Sequence, residues 1–208
     1  GREFMANPNI VQNEHGEQTS TGLSHRKLLM WAFLGSDCMF FGSFIATYVI
    51  YSGKIAGGPI PEDVFSIPTT SVSTFVLLMS SMSMVLCYSA LVQGKLKNFR
   101  IWILSTALLG MTFIGFQVFE FRDFVLYGLT PKTNLFGSTF FVLTGFHGAH
   151  VTLGIIWLLT LFFYSFRGGV TSERHLDVDL AAIYWHFVDV VWIVIFTVVY
   201  LLGVFPGI

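Results

Sequence analysis

The strongest constraint on the fold of this chain is a series of five long apolar runs. A helix needs about 20 mostly apolar residues to cross a lipid bilayer. Windows that meet this requirement run over 28–51, 69–93, 101–127, 136–165 and 179–203. Strands of a membrane β-barrel would instead alternate in polarity over segments of about 10 residues. The sequence therefore predicts an all-α polytopic membrane protein, a bundle of five transmembrane helices.

The low charge of the chain agrees with this prediction. Charged residues make up 11% of the sequence, against about 25% in an average soluble domain. The formal net charge is −1, so no excess of basic residues favours a nucleic-acid partner. Residues 1–27 are predicted to form a polar cytoplasmic tail, and residues 28–208 are predicted to form the membrane domain. Residues 1–4, ahead of Met5, fit either an expression scar or an alternative start.

The distribution of Lys and Arg predicts the orientation in the membrane, because positive residues are retained on the cytoplasmic side. Eight lie in the tail and in the breaks after the second and fourth windows: Arg2, Arg26, Lys27, Lys95, Lys97, Arg100, Arg167 and Arg174. Three lie on the opposite side: Lys54, Arg122 and Lys132. We therefore expect the N-terminus in the cytoplasm and the C-terminus outside.

Three carboxylates and three histidines stand out within the apolar windows. They are Asp37, Glu120, Asp189, His147, His150 and His186. An ionisable group is costly in hydrocarbon, so each is a functional hypothesis by default. The alternative is structural, with each side chain forming a hydrogen bond between helices. The sequence leaves both interpretations open for the three carboxylates.

His147 and His150 are spaced i, i+3, which places both imidazoles on one helix face. Such a pair could begin a metal or haem site. Only Asp37 and His186 lie deep enough to add ligands to it, and the chain has no Glu-x-x-His pair of the di-iron kind. Histidines also serve as contacts between helices or to lipid headgroups. Both interpretations stay open at this point.

His186 and Asp189 are also spaced i, i+3 and are predicted to pair on one face of the fifth helix. The pair is either a self-satisfied contact in a packed bundle or one step of a proton relay. A relay would need further polar groups, for which Asp37 and Glu120 are candidates. These residues lie in different windows, so the sequence alone does not connect them.

The two cysteines, Cys38 and Cys87, both lie in apolar windows. Free cysteine in such surroundings behaves as a small apolar side chain. We therefore expect both thiols to be buried and to form neither a disulfide nor a metal site.

Four stretches of the chain are long or unusual enough to be compared with known families: Leu34–Gly42, Gln117–Glu120, Gly137–Val151 and Tyr184–Trp192. These strings resemble subunit III of the haem–copper oxidases, such as cytochrome c oxidase, over residues 26–204. The first is similar to the helix that carries the carbodiimide-reactive carboxylate of that family, which is usually Glu. Asp37 occupies that place here and is one methylene shorter. Many members have seven helices, and this chain resembles the short five-helix bacterial form.

The resemblance implies a non-catalytic core subunit of a proton-pumping terminal oxidase that reduces O2 to water in a bacterial inner membrane. The haems and copper are then in partner subunits I and II, and this chain has no redox centre or other cofactor of its own. Subunit I would be the principal partner, with subunit II, subunit IV and a larger respiratory assembly as further partners. Bound phospholipid is also implied, and the electron donor would be cytochrome c or a quinol.

On the same analogy, the six intramembrane residues hold helices and lipids in place, and Asp37 also tunes the supply of protons to subunit I. Two other classes stay open. One is a stand-alone proton-coupled transporter that uses Asp37, Glu120 and Asp189, although no inverted repeat or pair of broken helices is evident. The other is a membrane metalloenzyme built on His147 and His150.

Overall fold

The computed structural model describes residues 23–52, 67–126, 128, 135–172 and 174–201. Nearly all of these residues belong to five helices: α1 (His25–Ser52), α2 (Ile67–Val92), α3 (Leu96–Leu126), α4 (Leu135–Phe166) and α5 (Leu176–Ile195). Each helix contains a stretch that is long and apolar enough to cross a membrane. The predicted all-α bundle of five membrane helices is therefore confirmed.

All five helices begin before the apolar windows that predict them, and three of them begin three or more residues earlier. α1 begins at His25, α3 at Leu96 and α5 at Leu176. The added turns carry Lys, Arg and Asp, which a hydropathy window counts against a membrane span. Long charged side chains at a helix end keep their apolar stems on the protein and their charged heads in water. The predicted breaks before α2 and α4 lie largely outside the described residues.

Glycines in the left-handed backbone region end two of the helices. After α2, Gly94 has a φ of 73°, and the N–H of Lys95 donates to the carbonyl of Ala90 at 2.9 Å. Gly168 has the same φ after α4. A residue with a Cβ is strained at such a position, whereas glycine is not. This hydrogen-bond pattern closes the last helical turn and reverses the chain.

α5 is the central helix of the bundle. It packs against α1, α2 and α4, and α3 completes the bundle by packing against α2 and α4. Half of the membrane window of α5 is buried inside the bundle, against 17% of the window of α1. The buried residues of α1 form one stripe, Leu34, Asp37, Phe41 and Tyr48. α1 is therefore the peripheral helix, and most of its surface faces outward.

Two ion pairs join the beginning of α1 to the beginning of α5. The guanidinium of Arg26 lies 2.5 Å from the Asp177 carboxylate, and the Lys27 ammonium lies 2.7 Å from the Asp179 carboxylate. Both pairs are partly exposed, so each is worth no more than about 1 kcal/mol. They place the two helix ends at the same edge of the bundle.

The other end of α1 is joined to an irregular segment that follows α5. There the helix continues as a π-helix, Phe196–Leu201, in which backbone N–H groups bond five residues back. The Tyr48 hydroxyl of α1 donates to the carbonyl of Val199 in this segment at 3.4 Å. α1 is thus held at both ends to the same continuous helix.

The Trp185 side chain of α5 contacts α2, α3 and α4. Its indole N–H donates to the Ser80 hydroxyl of α2 at 3.0 Å. The ring lies against a glycine on each of the other two helices. A Cβ atom at Gly110 of α3 would lie 2.6 Å from the ring, and one at Gly154 of α4 would lie 3.0 Å from it. Because these two glycines have no side chain, α3 and α4 can approach the indole closely.

The prediction that both cysteines are buried is correct for Cys87 and wrong for Cys38. Cys87 is buried, and its sulfur lies 3.8 Å from the carbonyl oxygen of Phe99. Cys38 is exposed, because it is one residue, or about 100° of helix rotation, from the inward-facing Asp37. Hydropathy identifies a membrane helix but not the side of it that faces the protein.

We expect Gly110→Ala to destabilise the bundle by about 1–3 kcal/mol, because the added methyl group overlaps a buried indole that cannot move freely. Gly115→Ala is the matched control on α3, since a Cβ there has open space around it. That change should be neutral or stabilising, because alanine favours a helix over glycine by about 1 kcal/mol. Thermal unfolding in detergent measures both effects. Equal melting temperatures for the two variants would contradict the proposed contact.

Candidate functional site

The centre of the candidate site is a hydrogen-bonded pair formed by Asp37 of α1 and His150 of α4. Asp37 Oδ2 lies 3.0 Å from His150 Nε2, and the two side chains are only 9% and 10% exposed. The other ring nitrogen, Nδ1, donates to the carbonyl of Phe146 at 2.9 Å. Both nitrogens of the imidazole are therefore engaged, one within its own helix and one with another helix.

These two contacts fix the number of protons that the pair holds. A carbonyl oxygen only accepts, so Nδ1 must carry a hydrogen. The contact between Nε2 and Asp37 then needs one hydrogen, which either the imidazolium or the carboxylic acid supplies. The pair is neutral overall in both cases. Loss of the hydrogen would place two acceptors opposite each other, and a further proton would leave a net charge in the membrane interior, so both changes are costly.

His147 makes a separate contact with α5. Its Nε2 donates to the carbonyl of Val188 at 3.1 Å, and the side chain is almost completely buried. The ring also contacts the rings of Phe113 and Trp192, with centroid separations of 6.0 and 5.0 Å. His147 and His150 thus bind two different helices and do not converge on a common point.

Aromatic rings surround the two histidines on the side of α1. The Phe41 ring lies 5.3 Å from the His150 ring and 6.3 Å from the His147 ring, measured between centroids. Phe146 contacts both Phe41 and His150. Because these rings displace polar groups, the hydrogen bonds of the site lie in surroundings of low dielectric constant, where they are stronger than in water.

Glu120 belongs to a second cluster, between α2 and α3. Its carboxylate accepts a hydrogen bond from the Thr70 hydroxyl at 2.5 Å. Gln117, one turn earlier on α3, is also buried, and its amide nitrogen has no hydrogen-bond partner among the described residues. This cluster joins a different pair of helices from the Asp37–His150 pair.

Asp189 and His186 are not brought together, although their spacing predicts a shared face. Asp189 is buried beside Ser81 of α2, and its Oδ1 has no hydrogen-bond partner in the part of the chain that the structure describes. His186 is only half buried. Residues three apart in a helix differ by about 60° in direction, which is enough to point one inward and the other outward.

Aromatic residues of α5 make polar contacts that the sequence analysis did not assign. The Tyr184 hydroxyl donates to the carbonyl of His150 at 2.8 Å. The Trp192 indole N–H donates to the Thr74 hydroxyl at 2.9 Å, as that of Trp185 does to α2. The sequence signal is their depth, because the O–H of tyrosine and the N–H of tryptophan need partners when they are buried.

Comparison of the amino-acid sequence with known proteins places the chain in a known family. Residues 4–204 match the family model for cytochrome c oxidase subunit III. The chain belongs to this family. Its relatives include the quinol oxidase subunit 3 of Bacillus spizizenii, 39% identical over 173 residues that cover 83% of this chain and 85% of the relative. The cytochrome c oxidase subunit 3 of Bacillus sp. strain PS3 is 38% identical over 188 residues, 90% of this chain and 91% of the relative. The cytochrome bo(3) ubiquinol oxidase subunit 3 of Pseudomonas putida is 39% identical over 174 residues, 84% of each chain.

Family membership confirms the resemblance that the four sequence stretches predict. As a member of the subunit III family, the chain is a multi-pass membrane protein and a subunit of a terminal oxidase. The matched region includes all six intramembrane residues singled out above. A subunit 3 of a quinol oxidase and a subunit 3 of a cytochrome c oxidase match this chain about equally well, at 39% and 38% identity.

Among the residues that the structure describes, this subunit III has no group of three His, Cys, Asp or Glu side chains that could hold a metal ion. His147 and His150, the two histidines that could begin a metal site, have ring nitrogens bonded to Val188 and Asp37. A metal ligand must instead direct a free imidazole nitrogen at the ion. The arrangement therefore suits contacts between helices better than metal ligation.

The contact between α1 and α4 predicts different effects for two substitutions of Asp37. Asp37→Leu leaves His150 Nε2 without a partner, and we expect it to lower the stability of the bundle by about 1–2 kcal/mol. Asp37→Asn should cost less than about 0.5 kcal/mol, because the amide N–H can donate to Nε2 while Nδ1–H still donates to Phe146. Thermal unfolding in detergent distinguishes the two. The same loss of stability in both variants would show that the hydrogen bond is not what matters at this position.

Proposed function

We propose that this chain is a non-catalytic subunit III of a proton-pumping respiratory oxidase that reduces O2 to water. In this proposal the haems and copper are in subunits I and II. Subunit I is the principal neighbour, and subunit IV and a larger respiratory assembly are further partners. The chain supports the stability of subunit I, its uptake of protons and the access of lipid and O2.

One observation carries the proposal: the deep polar side chains of the described residues are used mostly in contacts between helices. Asp37 binds His150, His147 binds the backbone of α5, and Glu120 binds Thr70. A catalytic centre needs groups that converge on a space where a substrate or an ion can lie. The polar groups of this bundle converge on each other instead, which favours a supporting subunit over an enzyme with a centre of its own.

Asp37 has the further role of tuning the supply of protons to subunit I. The hydrogen that it shares with His150 can reside on either partner while the pair stays neutral. Such a pair changes its internal proton position without placing a net charge in the membrane. Glu120, Asp189, His147 and the remaining polar residues are proposed to hold helices and bound phospholipid in place.

The same proposal fixes the orientation of the chain. The beginnings of α1 and α5 lie at one edge of the bundle, joined by Arg26–Asp177 and Lys27–Asp179. This edge carries most of the Lys and Arg residues, so it is proposed to face the cytoplasm of a bacterium. The C-terminus is then on the outer side of the inner membrane.

Purification of the native complex in mild detergent tests the proposal. We expect a tag on this chain to recover a haem-bearing subunit in fixed stoichiometry, with phospholipid retained. Recovery of the chain alone, together with proton transport by the purified chain in vesicles, would support the transporter instead. Stoichiometric metal in the isolated chain would support the metalloenzyme.

We expect Asp37→Asn to separate the role in proton supply from the role in packing. The variant keeps both hydrogen bonds of His150 but has no carboxyl proton to exchange. Subunit III should stay bound, while proton uptake changes or the oxidase is inactivated after fewer turnovers. Ser36→Ala, at an exposed neighbour of Asp37, is the matched control. Unchanged proton stoichiometry and turnover lifetime in Asp37→Asn would mean that Asp37 serves packing only.

A further inference from the structure

Seven hydroxyl groups on the outward faces of the helices form hydrogen bonds within their own helix. Each donates to the carbonyl four residues earlier, which is the usual solution for Ser and Thr in a membrane helix. The examples are Ser43, Thr47, Ser105, Thr112, Thr152, Thr160 and Thr197. These side chains can therefore face lipid without leaving a hydrogen bond unmade.

His186 on α5 is not satisfied in this way. Its imidazole is half buried and has no hydrogen-bond partner among the residues that the structure describes. An imidazole has two nitrogens, and its own helix can serve only one of them. His150 shows this within the same bundle: Nδ1 uses the Phe146 carbonyl, and Nε2 needs Asp37 of another helix. At least one nitrogen of His186 therefore needs a group from outside its helix.

The depth of His186 in the membrane favours protein over water as the source of that group. The residue is seven positions into the membrane window that begins at residue 179, or about 10 Å along the helix axis. The hydrocarbon core is about 30 Å thick, so the imidazole lies within it, about a third of the way across. Acyl chains carry no hydrogen-bonding groups, and an unpaired polar side chain at this depth is costly. A polar group on a neighbouring membrane helix can supply the partner at this depth.

The surface around His186 is open to a neighbouring helix. α5 packs against α1 and α2 on its two flanks, and the face between them exposes Val190, Ile193 and Val194, at 57%, 40% and 42%. His186 lies on the same face. An apolar strip that carries one hydrogen-bonding group is typical of a surface where two membrane helices meet.

We propose that a transmembrane helix of the haem-bearing subunit packs on this face of α5 and supplies a hydrogen-bonding side chain or carbonyl to His186. The inference rests on the proposed function and adds to it the surface by which the two subunits join. His186 is then a contact between subunits, whereas His147 and His150 are contacts within this one.

Photo-crosslinking in the intact complex tests the location of the surface. A photoactivatable residue is placed at Val190, next to His186, or at Ile156, which is equally exposed on α4. We expect Val190 to crosslink to the haem-bearing subunit and Ile156 to do so much less. An equal or higher yield from Ile156, a crosslink to a second copy of this chain, or a product with lipid alone would overturn the proposed surface.

Two substitutions on this face test the hydrogen bond. His186→Leu should weaken the retention of this chain on the complex about threefold to twentyfold, the range expected for one hydrogen bond between membrane helices. Thr197→Val is the matched control, because the Thr197 hydroxyl is satisfied by its own helix, and its retention should be unchanged. Native mass spectrometry over a series of detergent concentrations measures retention.

The stability of the isolated chain separates a contact between subunits from a structural role. Removal of an unsatisfied imidazole should leave the melting temperature of the chain without its partners unchanged or higher. A lower melting temperature of isolated His186→Leu, or its undiminished retention in the complex, would overturn the proposed contact. If the unmodified chain recovers no haem-bearing subunit, the proposed function itself fails and the contact fails with it.

Discussion

Polar contacts with the other helices hold α1 in its place in the bundle. Apolar side chains gain little by leaving lipid for protein, so packing and hydrogen bonds hold membrane helices together. α1 has the smallest packed surface of the five helices, and its polar contacts occur at three depths. Arg26 and Lys27 bind the beginning of α5, Asp37 binds His150 near the middle, and Tyr48 binds Val199 of the π-helix. The Asp37–His150 pair is the deepest of these contacts and the most completely buried of those that involve charged groups.

The histidines of the bundle differ in whether they point toward other helices of the chain or away from them. His147 and His150 point inward and reach partners on α5 and α1, so they fix the internal arrangement of the helices. His186 points outward, and its proposed partner comes from another chain. A carboxylate placed beside an inward histidine shares one proton with it, and in the proposed function this neutral pair responds to proton movement in a neighbouring subunit. The proposed roles in support and in assembly thus differ in where each imidazole points.

Much of the fold could be predicted from the sequence, because length and hydropathy are sufficient to define a membrane helix. The helix ends were less predictable, since charged residues such as Lys97 and Asp177 begin a helix before the apolar run starts. The sequence also singled out six intramembrane polar residues, but it could not show which of them meet. Asp37 and His150 are 113 positions apart, and only the packing of α1 against α4 brings them together.

The wrong or missed assignments have a common physical origin. Cys38 and the His186–Asp189 pair required knowledge of which side of each helix faces the protein, and a helix that is apolar on all sides does not reveal this. The contacts of Trp185 and Trp192 were missed because their partners, Ser80 and Thr74, are small hydroxyl residues with no pattern of their own. The packing role of Gly110 and Gly154 can be recognised only when the position of the Trp185 indole is known.

A double-mutant cycle on Asp37 and His150 is the most direct measurement of the contact that holds α1. The stabilities of Asp37→Leu, His150→Leu and the double variant are compared with that of the unmodified subunit in the same detergent. We expect the two residues to be coupled by about 0.5–2 kcal/mol, so that the double variant loses less than the two single losses together. Losses that add within about 0.3 kcal/mol would mean that the two side chains act independently, and the contact would then not be what fixes α1 in the bundle.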